Sequence, residues 1–197
     1  MPLLYDFRMS ENEIVLFEKK IKHSKSYLEF GMGGSLLRTI LKSKAKIYSV
    51  DSSVIWIENM RKYPIVRRLL KKRLFLYHAD IGPTMEWGYP IDNHSRELFP
   101  NYSANIFSLI NKERIDRVLI DGRFRVACTL KTISECYRNR DLEILIHDFW
   151  DREEYHILLK YLHEVDRADT LGVFVIKTNF DLIAIMKDYD LYKYIPR

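Results

Sequence analysis

A glycine-dense turn between two apolar segments constrains the fold of this chain more than any other feature of its sequence. The apolar residues Tyr27-Leu28 lead into residues 29–35, which read EFGMGGS. A helix-like stretch, residues 36–42, follows, and the next apolar segment, residues 47–50, ends at Asp51. This succession of strand, glycine turn, helix, strand and acid predicts a parallel βαβ unit.

The same pattern is typical of sheets that bind an adenosine-containing cofactor. Glycines let the backbone approach the ligand closely, and an acid after the second strand accepts hydrogen bonds from the ribose hydroxyls. A dinucleotide site has a further glycine where this chain has Leu36. The pattern therefore favours a cofactor without a pyrophosphate, and the alternative is a purely structural glycine turn in another α/β protein.

The spacing acid-x-Gly-x-Gly resembles motif I of the class I S-adenosylmethionine-dependent methyltransferases, with Ser35 where a third glycine often falls. The methionyl part of that cofactor is a zwitterion, which needs no pyrophosphate cradle. The resemblance implies S-adenosylmethionine as the cofactor. The residues that it implies for cofactor binding are Glu29, Gly31, Met32, Gly33, Ser35, Asp51, Ser52, Asp80, Ile81 and Asp121.

Apolar segments and helical patterns alternate along the chain and predict an α/β sheet. The predicted strands cover residues 26–30, 46–50, 74–77, 118–120 and 144–146, and the predicted helices cover residues 10–22, 55–66, a stretch ending near 137, and 152–165.

The end of the chain discriminates between sheet topologies. Residues 172–177 and 182–186 are predicted strands joined by a few residues around Asn179-Phe180-Asp181. So short a connection makes an antiparallel hairpin. A dinucleotide-binding sheet would return through a helix, whereas the methyltransferase sheet has an antiparallel last strand. We therefore predict a Rossmann-like methyltransferase fold, with a seven-stranded, mostly parallel sheet of order 3-2-1-4-5-7-6 and helices on both faces.

Length and composition are those of one soluble globular domain over residues 1–197, with 47% hydrophobic and 30% charged residues. Residues 1–25 contain an N-terminal helix, and residues 81–113 form a loop-rich insertion. That insertion leaves strand 3 on the cofactor side, so it is predicted to be a lid or a wall of the acceptor site. Alternatively, its aromatic side chains only pin it to the domain.

Location and partners are constrained more weakly. Cys128 and Cys136 fall in one predicted helix, about 12 Å apart, too far for a disulfide. They predict buried thiols in a reducing compartment, hence a cytoplasmic location. No membrane span or signal peptide is expected. The net charge of +5 is compatible with an anionic substrate, and association with further copies of the chain is left open.

Polar residues follow the predicted strands at the edge of the sheet where ligands bind in open α/β folds. Asp51, Asp80, Asp121 and the pair His147-Asp148 each come directly after a strand. Acids at such positions also cap the following helix, which is the alternative for each of them.

The segments Ile120-Asp121-Gly122 and His147-Asp148-Phe149 resemble elements of a methyltransferase branch that includes sugar O-methyltransferases. In its metal-dependent members carboxylates at these places help to hold Mg²⁺ beside the acceptor, which would implicate Asp121 and Asp148. This chain departs from that pattern, since Arg123-Phe124-Arg125 replaces the usual Asp-His and a second acid beside Asp148 is missing. The two arginines suggest a clamp for a carboxylate or phosphate, or else structural ion pairs with the aspartates.

The predicted function is methyl transfer from S-adenosylmethionine to a small metabolite or saccharide, which is anionic if Arg123 and Arg125 form the clamp. A non-catalytic or differently catalytic ligand- or partner-binding protein on the same fold is the alternative. A nucleic-acid methyltransferase using the basic residues 61–73 is disfavoured, because no Asn/Asp-Pro-Pro-Tyr motif follows strand 4. A histidine could serve as general base. The catalytic candidates are Asp121, Arg123, His147, Asp148 and His156.

Overall fold

The protein is built around one seven-stranded sheet, seen in a computed structural model that describes residues 7–197. The strands are β1 Ser26–Phe30, β2 Lys46–Asp51, β3 Leu74–His78, β4 Arg117–Ile120, β5 Glu143–Ile146, β6 Leu162–Ala168 and β7 Leu171–Ile176.

The strand order is β3-β2-β1-β4-β5-β7-β6, as the sequence predicts. Strands β1 to β5 are parallel, whereas β7 pairs antiparallel with both β5 and β6. Every residue of β1 is buried, which is typical of a central parallel strand covered on both faces. The predicted fold class is confirmed.

Helices cover both faces of the sheet. They are α1 Glu11–Ile21, α2 Gly34–Lys42, α3 Val54–Arg61, α4 Pro64–Leu69, α5 Pro100–Ala104, α6 Arg125–Cys136 and α7 Leu182–Tyr192. The predicted helix over residues 55–66 is divided into α3 and α4, because Pro64 begins a new helix at its first position. Residues 81–113 contain only short helical turns, of which α5 is the longest.

The predicted strand at residues 182–186 is wrong, because these residues belong to α7. A short apolar run does not distinguish a strand from a buried helix. The deciding signal is Asp181, whose side chain accepts a hydrogen bond from the Ile183 N–H at 2.8 Å and caps the helix. Ile185 and Tyr189 then pack against the core.

The predicted helix at residues 152–165 is also wrong over its second half. A 3-10 helix covers Glu153–Lys160, and β6 follows. Exposed and half-buried residues alternate along this edge strand, and its charged side chains hide the period-two pattern. The antiparallel hairpin therefore joins β6 and β7 through Asp169-Thr170, with Asp169 at φ 46°. The predicted topology is right, although one of its two strands was misplaced.

Two apolar layers hold the sheet between the helices. Phe30, Ile120 and Ile146 belong to one layer, and Tyr27 and Leu119 belong to the other. Side chains alternate across each strand. In the described part of the chain no helix is long and apolar enough to cross a membrane. Both cysteines are buried free thiols. The carboxyl ends of β1 to β5 are left to the loops that follow them.

Substitution of Gly31 should destabilise the packing of the turn after β1 against the loop after β4. Gly31 has φ +96°, and a Cβ there would lie 2.5 Å from the backbone nitrogen of Gly122. Gly31→Ala combines a left-handed conformation with backbone overlap, so we expect a loss of roughly 2–5 kcal/mol in the free energy of unfolding. Urea unfolding followed by circular dichroism measures it.

Gly33→Ala is the matched control, because its φ of -169° suits any residue and no described atom lies within 4 Å of the added Cβ. Its unfolding free energy should stay near that of the native protein. Equal stability losses in the two variants would contradict the close approach of Gly31 to Gly122.

Candidate functional site

The glycine turn and Asp51 face one another at the carboxyl edge of the sheet. The Asp51 Oδ2 accepts a hydrogen bond from the Met32 N–H at 3.0 Å, and its Oδ1 accepts one from the Ser53 N–H at 2.8 Å. Met32 itself is buried, and its carbonyl oxygen accepts a hydrogen bond from the Trp56 indole. The acid after β2 therefore points at the turn after β1. We call the space between this turn, Asp51 and the end of β4 the crevice.

The carboxyl of Asp51 is buried. Burial raises the pKa of its carboxyl to about 6, although backbone N–H groups partly offset this. A carboxylate offers about four lone pairs, so two further hydrogen bonds can be accepted. The neighbouring Ser52 hydroxyl is already engaged, donating to the Gly88 carbonyl at 2.9 Å.

Glu29 lies beneath the turn and is fully buried. Its oxygens accept hydrogen bonds from Tyr27 Oη at 2.9 Å, Ser35 Oγ at 3.0 Å and Ser49 Oγ at 2.6 Å. Burial raises the pKa of Glu29 to about 7, because three hydroxyl donors do not replace the lost water. The hydrogen bonds of Glu29 thus link β1 to β2 through Ser49 and to the start of α2 through Ser35.

The acid after β3 is further from this cluster of contacts. Asp80 is exposed, and its Oδ1 accepts a hydrogen bond from the Gly82 N–H at 2.9 Å, which forms a local turn. Ile81 is buried beside it. Both residues begin the loop 81–113.

Asp121, His147 and Asp148 converge at the ends of β4 and β5. The Asp121 Oδ1 lies 2.9 Å from His147 Nδ1, and the Asp148 Oδ1 lies 3.6 Å from the same nitrogen. The guanidinium of Arg125 stands between the two acids, 3.3 Å from Asp121 and 3.0 Å from Asp148. Arg152 adds a second contact to Asp148 at 3.1 Å. Arg125, at the start of α6, therefore forms structural ion pairs with the aspartates. This was the alternative to a clamp for a carboxylate or phosphate of the substrate.

The charges in this cluster shift the pKa values of Asp121 and His147. Burial would raise the pKa of Asp121, but the hydrogen bond from His147 and the charge of Arg125 outweigh it and lower that pKa. Burial would lower the pKa of His147, but Asp121 and Asp148 raise it. The other ring nitrogen of His147 lies 3.5 Å from Glu13 of α1. Both nitrogens therefore face carboxylates, and the charged imidazolium is favoured.

Arg123 occupies a different position from Arg125. Its guanidinium lies 4.1 Å from the centre of the Tyr89 ring, a cation–π contact with the loop 81–113. Its Nε is buried and donates no hydrogen bond within residues 7–197. The positive charge of Arg123 lowers the pKa values of both Asp51 and Asp121. It therefore stands near both walls of the crevice.

His156 is not part of the cluster. Its Nε2 lies 3.1 Å from the Phe149 carbonyl oxygen, and its ring packs against Phe149 and Trp150. Of the five catalytic candidates the structure brings together Asp121, His147 and Asp148, places Arg123 beside Tyr89, and leaves His156 in the aromatic packing.

Sequence reasoning missed two contacts at this edge. Glu13 reaches His147 and also accepts hydrogen bonds from the backbone N–H groups of Thr170 and Leu171 at 3.0 and 3.1 Å. Glu13 also forms a capping box with Ser10 at the start of α1, which is a local pattern. Its contact with His147 joins residues far apart in the sequence, so no local pattern indicates it. Gly88, at φ +71°, rests on Ser52, so the loop 81–113 covers the edge of the crevice.

The cluster does not fit a divalent cation in this arrangement. Asp121, His147 and Asp148 each offer one ligand atom, and these atoms lie within 4.8 Å of one another. However, the guanidinium of Arg125 already contacts both aspartates and stands between them, where a cation would have to lie.

Comparison with known proteins gives likeness in structure alone. No protein-family model matches the chain, and no curated protein matches it. A methyltransferase-like protein from Silicibacter pomeroyi superposes with a TM-score of 0.84 at 22% identity, covering 98% of each chain. The Burkholderia thailandensis 1,6-didemethyltoxoflavin-N1-methyltransferase, with its substrate and S-adenosylhomocysteine bound, gives 0.52 at 11% identity, covering 86% of this chain and 78% of that one.

A Streptococcus mutans methyltransferase in complex with S-adenosylhomocysteine gives a TM-score of 0.50 at 12% identity, covering 84% of this chain and 97% of the other. The fold of this protein is thus that of the class I S-adenosylmethionine-dependent methyltransferases, as its sequence predicts.

The buried acid Glu29 makes stability depend on pH. Its pKa is about 7 in the folded protein against an ordinary 4.5, so its contribution is complete below about pH 4.5 and is lost as pH rises through 7. The loss amounts to about 3 kcal/mol. Glu29→Gln should remove this part of the pH dependence, measured by urea unfolding at pH 5 and pH 8.

Glu58→Gln is the matched control, because its exposed side chain makes only a surface ion pair with Arg61. It should retain the native pH dependence. If Glu29→Gln also retains the native pH dependence of the unfolding free energy, the pKa of Glu29 is not raised in the folded protein.

Arg125→Met should destabilise the protein by about 3–5 kcal/mol at pH 7, since it leaves Asp121 and Asp148 without their shared cation. Because the charge of Arg125 lowers the pKa of Asp121, Asp121 of the variant takes up a proton more readily than in the native protein, so the loss should shrink at pH 3. Arg152→Met, which removes a half-exposed partner of Asp148, should cost less than about 1 kcal/mol. Thermal and urea unfolding compare the two.

Millimolar Mg²⁺ adds a second readout. It should restore part of the stability of Arg125→Met, where the aspartates are free to bind a cation, and leave the native protein unchanged. A stabilised native protein would contradict the view that Arg125 occupies the cation position.

Proposed function

We propose that this protein is an S-adenosylmethionine-dependent methyltransferase that acts on a small, anionic acceptor, either a metabolite or a saccharide. One observation carries the proposal. The carboxylate of Asp51, after the second strand of a 3-2-1-4-5-7-6 sheet, is aimed at the glycine turn after the first strand. In folds of this kind such an acid accepts hydrogen bonds from ribose hydroxyls.

The residues around the turn suit such a cofactor. Gly31 brings the backbone against Gly122, and Gly33 is open, so a ligand can approach the main chain closely. Asp51 would hold the ribose, Ser52 and Ile81 would border the nucleoside, and the exposed Asp80 would face the adenine amino group. Glu29 would act from below, by keeping the turn in shape through Ser35.

When bound, the cofactor supplies an electrophilic methyl group on a sulfonium. The protein's own contribution is alignment, because displacement at that carbon needs the acceptor in line. Asp121 is held by His147 and Arg125, and its backbone lies against Gly31. It is therefore a fixed carboxylate beside the turn and the best placed group to orient the acceptor or the cofactor.

Arg123 is our candidate for recognising a negative charge on the acceptor. Its buried Nε has no hydrogen-bond partner within the described residues, and an unmade charged hydrogen bond is costly. A carboxylate or phosphate would satisfy it in a bidentate geometry. Tyr89, which now stacks on the guanidinium, would then form part of the acceptor wall.

We assign no general base. Because both ring nitrogens of His147 face carboxylates, we propose that His147 positions Asp121. His156 bonds a backbone carbonyl. An acceptor that is already ionised, such as a carboxylate, needs no base.

A second candidate, binding without catalysis on the same fold, has one observation in its favour. The Ser52 hydroxyl donates a hydrogen bond to the Gly88 carbonyl, and a Cβ added to Gly88 would lie 3.7 Å from the Asp51 Oδ1. Both oxygens of Asp51 already accept backbone hydrogen bonds. The loop 81–113 must shift before ribose can reach Asp51. A protein that binds the cofactor product but transfers no methyl group to any anionic acceptor would fit this second candidate.

Calorimetric titration with S-adenosylhomocysteine tests the proposal. The native protein should bind it, and Asp51→Ala should weaken binding about 10- to 1,000-fold, since each lost charge-assisted bond contributes about 1.5–3 kcal/mol. Asp141→Ala, an exposed acid at the opposite edge, should bind like the native protein. Failure of the native protein to bind would reject the proposal.

The acceptor is tested separately. With carboxylate- or phosphate-bearing metabolites and labelled cofactor, Arg123→Met should raise KM far more for anionic acceptors than for neutral ones. The same loss for both kinds of acceptor would show that Arg123 does not read charge.

A further inference from the structure

The opposite edge of the sheet carries a feature that the proposed function does not use. Here the chain enters β1 to β5, and the crevice lies at the other ends of these strands. The five segments that lead into the strands are residues 22–25, 42–46, 70–73, 111–117 and 137–143. We call them the basal segments.

Backbone hydrogen bonds place the basal segments side by side. The Ile47 N–H donates to the Arg73 carbonyl at 2.6 Å, and the Lys46 N–H donates to the Lys25 carbonyl at 2.9 Å. On the other side, Asp116 N–H donates to the Ser26 carbonyl at 3.0 Å, and Glu143 N–H donates to the Asp116 carbonyl at 3.1 Å. The segments thus form one row across the sheet. Five strands spaced about 4.8 Å apart make the row about 19 Å long.

Positive charge is concentrated in this row. The basal segments hold 13 of the 32 lysines and arginines but only 4 of the 27 aspartates and glutamates. The remainder of the chain holds more acids than bases, 23 against 19. The net charge of +5 is therefore a property of one edge of the molecule.

Two of the four acids in the row are already engaged. Asp116 accepts hydrogen bonds from Ser24 Oγ at 2.6 Å and the Lys25 N–H at 2.7 Å. Glu143 pairs with Lys20 at 2.9 Å and Arg117 at 3.0 Å. Only Glu113 and Asp141 remain as exposed acids.

Most of the basic side chains are exposed, and within residues 7–197 they have no acid at ion-pair distance. These are Lys22, Lys25, Lys44, Lys46, Lys71, Lys72, Arg114, Arg138 and Arg140.

The row contains an open groove with a volume of about 940 Å³. Lys25, Lys46, Arg114 and Arg140 line it, together with the exposed acids Glu113 and Asp141 and the amide side chains of Asn111 and Asn139. The lining also includes Arg117, Asp116, Glu143 and the apolar residues Tyr48, Leu142 and Val175. The groove is therefore concave and carries five basic and four acidic side chains, and the excess of positive charge belongs to the row as a whole.

We propose that the basal segments bind the phosphate backbone of a single-stranded nucleic acid. Spaced cations along the row match regularly spaced phosphates. The exposed large apolar residues of the described chain all lie outside the basal segments, so this face lacks the apolar side chains that insert into membranes or anchor protein interfaces. The absence of a base-flipping motif concerns the crevice and does not bear on this face. The inference does not depend on the proposed function.

The binding is electrostatic and so depends on salt. A row of about 19 Å spans several phosphates of one strand, and each neutralised phosphate adds about -0.7 to the slope of log affinity against log salt. We therefore expect the slope of log affinity against log salt concentration to be roughly -2 to -4.

Fluorescence anisotropy with a labelled single-stranded RNA 12-mer tests the proposal over a series of KCl concentrations. The triple variant Lys44→Gln, Lys72→Gln and Arg140→Gln should lose at least tenfold in affinity and show a shallower salt slope. The matched control is Lys160→Gln, Arg167→Gln and Lys187→Gln, three exposed bases elsewhere, and it should change affinity less than twofold. Melting temperatures check that both variants are folded.

Two further probes identify the binding partner. A peptide nucleic acid of the same sequence has no phosphates and should not bind, and phosphatidylserine vesicles should bind more weakly than RNA. The proposal is overturned by absence of salt-dependent RNA binding, by equal losses in the two triple variants, by equal binding of the peptide nucleic acid, or by stronger binding to the vesicles.

Discussion

The contact between Gly31 and Gly122 is the constraint on which the rest of the crevice depends. A Cβ at Gly31 would meet the Gly122 nitrogen at 2.5 Å, so the turn after β1 and the loop after β4 meet backbone to backbone. This contact puts Asp121 beside the glycine turn, while the Met32 N–H holds Asp51 from the other side. Two acids from distant parts of the chain are thereby fixed around one small space.

Burying acids costs stability, and the protein offsets the cost differently at each position. Glu29 is satisfied by three hydroxyl groups, and its pKa rises to about 7. Asp51 is satisfied by backbone N–H groups, and its pKa rises to about 6. Asp121 has a full positive charge from Arg125 and a histidine beside it, and its pKa falls. The carboxyl of Asp121 next to the turn and the carboxyl of Glu29 beneath it therefore occupy different electrostatic environments, with pKa values shifted in opposite directions.

Much of the fold could be predicted because its signals are local. The glycine turn, the acid at Asp51 and the capping box at Ser10 each involve residues close in sequence. The assignment of β6 and α7 failed because a charged edge strand and a short apolar run do not show their type without their tertiary neighbours. The topology was nevertheless right, because a connection of only a few residues between the last two strands makes an antiparallel hairpin, whichever segments form those strands.

The sequence predicted which site residues follow the strands, and therefore which of them lie close together, but it did not predict their individual contacts. That Asp121 and Asp148 would converge followed from neighbouring strands. Which arginine would stand between them depended on the backbone just before α6, where Phe124 has φ 54°. Arg125, the first residue of α6, contacts both acids, whereas Arg123, which precedes the helix, contacts Tyr89. The contact of Glu13 with His147 joins residues far apart in sequence, and no local pattern reports such a pair.

The central claim is that Asp51 and the glycine turn form a cofactor site beneath the loop 81–113. A crystal structure of the protein with S-adenosylhomocysteine tests it most directly. The account predicts ribose hydroxyls bonded to the Asp51 carboxylate, with Gly88 moved away from Ser52. A ligand bound elsewhere, or a ribose that leaves Asp51 bonded only to Met32 and Ser53, would contradict it.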